Sequence, residues 1–213
     1  MKQHPDKRKW NIIIAVLLTV LLKFAVAGKP GFSIFYITAA LVFWFFFIFR
    51  RYKSDPLVLN KWGFNLQYFK KSLLYLLPFG IIVITSSLLY ASLTNTSILN
   101  WHILPILILY PVWGLTQQFI VAGLVAGNLR TLVKGKITDF QVNLMVSLLF
   151  ALVHYPDISL MIYVLLMELI FIHAYFKYNN LWSLGLYHGW ASGFFLFFVL
   201  QRDLWNELLL IFQ

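Results

Sequence analysis

Seven stretches of this chain are long, apolar and almost free of charge: Trp10–Ala27, Phe32–Phe49, Ser72–Ala91, Ile103–Leu129, Phe140–Tyr155, Ile158–Phe176 and Leu181–Leu200. Among Asp, Glu, Lys and Arg, they hold only Lys23 and Glu168. A hydrocarbon core about 30 Å thick is crossed by about 20 apolar residues of helix. A backbone in lipid must satisfy its own hydrogen bonds, which leaves helices and closed barrels. Barrel strands alternate polar and apolar positions, and these unbroken runs do not. Hydrophobic residues make up 61% of the chain, charged residues 11%, and mean hydropathy is +0.80. A water-soluble domain carries roughly one-quarter charged residues. The expectation is an all-α fold, a polytopic transmembrane helical bundle of about seven spans in the cell membrane.

The charged residues orient those spans. Of 17 Lys and Arg, 14 fall in segments 1–9, 50–71, 130–136 and position 177, and only Lys23, Lys29 and Arg202 lie in the alternate loops. Basic loops stay cytoplasmic, so the N-terminus is expected inside and the C-terminus outside. The formal charge of +10 therefore marks topology. The bilayer is the expected partner and nucleic acid is not, because no soluble segment interleaves basic and aromatic residues. No cysteine is present, which excludes disulfides and thiolate chemistry.

One membrane domain is expected in three stretches. Residues 1–100 hold the N-terminal transmembrane helices and a cytoplasmic loop, 101–200 the core helices, and 201–213 a short tail. Ala25-Val26-Ala27 has the small-x-small form of a signal cleavage site, although Lys23 suits the anchored end of a retained span. Pro105 and Pro111 predict an irregular fourth span with freed carbonyls in need of partners. Lys61-Trp62-Gly63-Phe64 reads as an amphipathic stretch resting on the membrane surface. Leu204–Phe212 would be about 14 Å of helix, too short to cross.

Polar groups within spans carry the functional signal, since each costs free energy in hydrocarbon. They include Gln117, Gln118 and Asn128 on the fourth span, His154 on the fifth, Glu168 and His173 on the sixth, and His188 and Ser192 on the seventh. Adjacent Gln117 and Gln118 cannot share one helix face, and the plain structural alternative is that both amides bridge helices. Gly185, Gly189 and Gly193 recur every four residues, a seam along which another helix can approach. Glu168 is the one deep acidic group, and His173 lies about 140° around the helix from it. The spacing selects neither a metal nor a cofactor.

The order of these groups resembles the CAAX-protease and bacteriocin-processing (CPBP) family of intramembrane endopeptidases. Its motifs are Glu-Glu-x-x-x-Arg-Gly, Phe-x-x-x-His and His-x-x-x-Asn or Asp on successive late helices. Phe150 and His154 match the second motif, and His188 matches the third. Asn179-Asn180-Leu181-Trp182-Ser183 is similar to the family's approach to that third motif. Gln117, Gln118 and Gly123 stand where the glutamates and glycine fall, with Ala122 for Arg and Ser192 for Asn. The resemblance covers Pro111 to Phe195. It implies that a glutamate and the histidines activate a water against a peptide carbonyl, with the last motif holding the oxyanion. An amide cannot accept a proton near neutral pH, so Gln117 cannot be that base.

Three functions compete on these residues. A peptidase could use Glu168 as a relocated acid beside His154 and His188. A pseudoenzyme could keep the fold to bind a membrane-associated peptide or protein without cutting it. A transporter or proton relay could run through Glu168 and the histidines. The first two expect His154 and His188 in one cavity with Gln117 or Gln118.

Overall fold

The computed structural model describes residues 5–26, 30–96 and 100–210. Ala27 of the cleavage pattern and Phe212 at the end of the predicted tail lie outside them. Among the described residues regular structure is helical, apart from one isolated bridge between Lys134 and Ile137. Three helical stretches, Phe69–Leu93, Ile103–Leu132 and Ile158–Tyr178, are long and apolar enough to cross a membrane. The chain divides into two units, residues 1–64 with 120–176 and residues 65–119 with 177–213.

The first unit contains α1 (Pro5–Val26), α2 (Pro30–Ser54), α3 (Val58–Lys61), α6 (Gly127–Leu132), α7 (Asp139–Leu152) and α8 (Ile158–Tyr178). Immediately before α6 the backbone is π-helical over Phe119–Ala126. A capping box starts α7: Gln141 N donates to Thr138 Oγ1 and Thr138 N to Gln141 Oε1, at 3.2 and 2.8 Å. Arg130 closes the preceding turn, donating to both oxygens of Asp139 and, at 3.1 Å, to Phe176 O. Its guanidinium lies 4.5 Å from the centre of the Phe176 ring. Asn143 Nδ2 donates to Leu169 O at 2.8 Å and so ties α7 to α8.

Trp62 departs from the expected surface stretch. It is 7% exposed and stacks on Phe47 of α2 with centroids 6.3 Å apart. Its carbonyl accepts from Tyr175 Oη at 3.0 Å. Gly63, at φ +104°, makes the turn that points the indole inward. Stacking on the ring and a hydrogen bond to the backbone carbonyl hold this residue against the protein.

The second unit contains α4 (Phe69–Leu93), α5 (Ile103–Gln118), α9 (Leu181–Phe194), a π-helical turn Phe195–Val199 and α10 (Leu204–Leu210). Helix α9 packs on both α4 and α5. Asn179 takes the left-handed conformation at φ +46°, which asparagine tolerates better than most residues. Asn180 then caps α9, its Oδ1 accepting from Ser183 N at 3.0 Å. The Asn180 amide donates to Asn65 O at 2.6 Å, and Asn65 returns a bond to Asn179 O at 2.9 Å. Ser72 and Ser183, both fully buried, meet at 2.6 Å between α4 and α9.

The tail is helical as far as it is described. His102 Nδ1 and Asp203 Oδ2 lie 2.6 Å apart at its root, and Trp101 and Trp205 meet edge-on at 6.2 Å. Burial would raise the Asp203 carboxyl, but hydrogen bonds from His102 and the Asn206 backbone hold it below the ordinary carboxylate value.

Candidate functional site

The site in the second unit begins at Pro111. Proline has no N–H, so within α5 it cannot donate to the carbonyl four residues earlier, that of Leu107. Trp190 of α9 supplies the missing donor, with its Nε1 3.0 Å from Leu107 O. The irregularity expected from Pro111 thus becomes an interhelical tie. Trp190→Phe should cost about 1 kcal/mol, read as a lower unfolding midpoint in detergent, because the carbonyl would lose its donor while the ring still packs.

Glycines set the separation of the same two helices. A Cβ at Gly114 would lie 2.8 Å from both Gly185 O and Gly189 N, and one at Gly185 would lie 2.7 Å from Leu115 Cα. A Cβ at Gly189 would overlap the Pro111 backbone. Backbones this close bring medium-length polar side chains into contact one turn further on. Gln118, fully buried, places Nε2 3.0 Å from Nδ1 of His188, itself 3% exposed.

That contact determines what the imidazole offers. The amide nitrogen can only donate, so Nδ1 accepts and the ring proton resides on Nε2. In this pairing His188 carries its N–H on Nε2. Ser192, 4% exposed and one turn along α9, adds a hydroxyl on the same face. Gln117 is half-buried, so the two glutamines divide as adjacent helical residues must. Ala122, where the resemblance calls for arginine, is fully buried in the π-helical segment.

His154 and Glu168 belong to the first unit. His154 follows the last turn of α7; its Nδ1 lies 3.0 Å from Phe150 O and its ring meets the Phe150 ring edge-on at 5.0 Å. A carbonyl partner requires the proton on Nδ1, leaving Nε2 as the basic nitrogen. The Phe-x-x-x-His spacing thus has a local purpose: it fixes the orientation and tautomer of the ring. Glu168 is fully buried in α8 beside Met167, while His173 points outward. Asn128 donates to Leu124 O on its own helix at 2.7 Å and so serves the backbone. The sequence carries one signal for Trp190: the carbonyl four residues before Pro111 needs a donor from another helix.

Comparison with curated proteins and with solved structures gives no match. Residues 98–194 match the family model described as Type II CAAX prenyl endopeptidase Rce1-like. That segment contains Phe150 with His154, the Gln118–His188 pair and Ser192. Over residues 98–194, a little under half of the chain, the sequence is thus similar to the Rce1-like CAAX prenyl endopeptidases.

Proposed function

We propose that this is a multi-pass cell-membrane protein of about seven spans that uses the CAAX-endopeptidase framework to bind a membrane-associated peptide without cutting it efficiently. The observation that carries this reading is the 3.0 Å contact between Gln118 and His188. Where the family motif has a proton acceptor, this chain has an amide that occupies one imidazole nitrogen and accepts no proton. An imidazole N–H and a hydroxyl such as those of His188 and Ser192 are donors of the kind that hold a peptide carbonyl. Binding and polarisation survive in such a site, while water activation loses its base. On this reading residues 1–100 are the N-terminal helices and loop, 101–200 the functional core and 201–213 an interfacial tail. His154 is retained on this reading without the motif glutamate that would act with it.

The test uses purified protein in micelles and a prenylated peptide carrying a photo-crosslinker. Wild type should capture the peptide and release at most a trace of cleaved product by mass spectrometry. His188→Ala and Ser192→Ala should each weaken capture by up to about tenfold, one hydrogen bond's worth. Robust wild-type cleavage would overturn the reading. If that cleavage disappeared in Glu168→Gln, the acid would have moved to α8, the reading favoured by the full burial of Glu168. If it persisted, neither carboxylate position would carry the reaction.

A further inference from the structure

The basic C-terminal end of α2 holds donors without a hydrogen-bond partner among the described residues. Arg51 has Nε and Nη1 buried with no hydrogen-bond partner among the described residues, and the indole Nε1 of Trp44 is in the same condition. Trp44, Phe47 and Arg51 recur at i, i+3 and i+7, so they share one face of α2. Phe47 sits between the two donors, 5.3 Å from Trp44 and 6.3 Å from Trp62 by ring centroids. The stripe is thus walled by aromatic rings, with an N–H at each end.

Among the described residues no ion pair joins Arg51 to an acid. Segment 50–71 holds six basic residues and one carboxylate, Asp55. That carboxylate is engaged by Lys61, whose Nζ lies 2.5 Å from Oδ2. The Lys61 hydrogen bond chiefly holds the Asp55 carboxyl below its ordinary range, with Arg8 adding a smaller attraction. Buried guanidinium nitrogens without partners are costly, and native folds seldom leave them so. Their natural complement is a phosphate, which guanidinium donors match in geometry as well as charge.

We propose that the Trp44–Phe47–Arg51 face of α2 is a binding site for an anionic glycerophospholipid, with Arg51 on the phosphate and the Trp44 indole on an acceptor deeper in the apolar layer. Seven residues of helix separate the two donors by about 10 Å along the axis. A small free anion reaches only one of them, whereas a lipid carries a phosphate and ester carbonyls at different depths. The position on the basic side of the membrane agrees with recognition of anionic headgroups there. The site is independent of the peptide-binding reading and uses none of its residues.

Native mass spectrometry of the delipidated full chain tests it, with phosphatidylglycerol, phosphatidylcholine or inorganic phosphate added. Wild type should retain phosphatidylglycerol about tenfold better than phosphatidylcholine, a difference suited to one charge-assisted contact. Arg51→Gln should abolish that preference, Trp44→Phe should lower retention several-fold, and Lys53→Gln should leave both nearly unchanged. If Arg51→Gln fails to fold, Arg51→Lys keeps the charge but loses the planar fork, and a partial loss of preference is expected. Displacement of phosphatidylglycerol by inorganic phosphate at comparable concentration would overturn the lipid assignment in favour of a free-phosphate site. Retention indifferent to headgroup, or unchanged in the Arg51 and Trp44 variants, would overturn the site altogether.

Discussion

Gln118→Glu should give this protein measurable peptidase activity. In the wild type the amide donates to Nδ1 of His188 across 3.0 Å, and neither member of the pair can draw a proton from water through that bond. A carboxylate in the same place reverses it: Nδ1–H now donates, and Nε2 becomes the basic nitrogen. Positioned general bases contribute about 10²–10⁴ in rate, and the gain in cleavage of a prenylated peptide should fall in that range. His188→Ala in the same background should remove it. Gln117→Glu, on the half-buried neighbour, should gain much less. A Gln118→Glu protein that folds, captures peptide and still releases no product would show that the missing base is not what silences the site.

Gly189→Leu should be the most damaging single change to the fold. Its first side-chain carbon would overlap the backbone of Pro111, and backbone cannot step aside as a side chain can. Overpacking alone costs about 1–3 kcal/mol, and forcing α5 from α9 adds the Gln118–His188 and Trp190–Leu107 bonds to the loss. A destabilisation above about 4 kcal/mol is expected, seen as loss of a cooperative transition in detergent. Gly193→Ala is the matched control. Its Cβ would meet only Ile106 Cγ2, at 3.2 Å, a contact a rotamer change can relieve. If the two variants unfolded alike, close approach at Gly189 would not be what joins the helices.

Residues whose signal is local were the legible ones. The four-residue glycine repeat predicted a close helix contact and the structure has it, because a missing Cβ acts wherever its helix lies. Pro111 announced an orphaned carbonyl for the same reason. Its donor was not legible, since Trp190 is 79 positions away and nothing in either segment names the other. Gln117 and Gln118 were separable only as a pair. Which of them turns inward depends on the phase of α5 against α9, and that phase is a property of packing. Trp62 was misplaced because an amphipathic stretch suits a lipid interface and a protein interior equally well; only Phe47 and Tyr175 decide between them.

The π-helical segment Phe119–Ala126 makes chain length matter more than residue identity there. Such wide turns accommodate a residue that an α-helix would not hold. Its residues are all apolar or glycine, and exchanging one apolar residue for another of similar size disturbs little. Deleting one is different. An ordinary helical turn advances about 100° per residue, so relaxation to α-geometry would swing α6 by roughly that angle. Arg130 would then leave Asp139 and Phe176 together. Descendants of this gene can therefore vary the letters of the segment freely, while a single lost codon would undo a clamp several residues away.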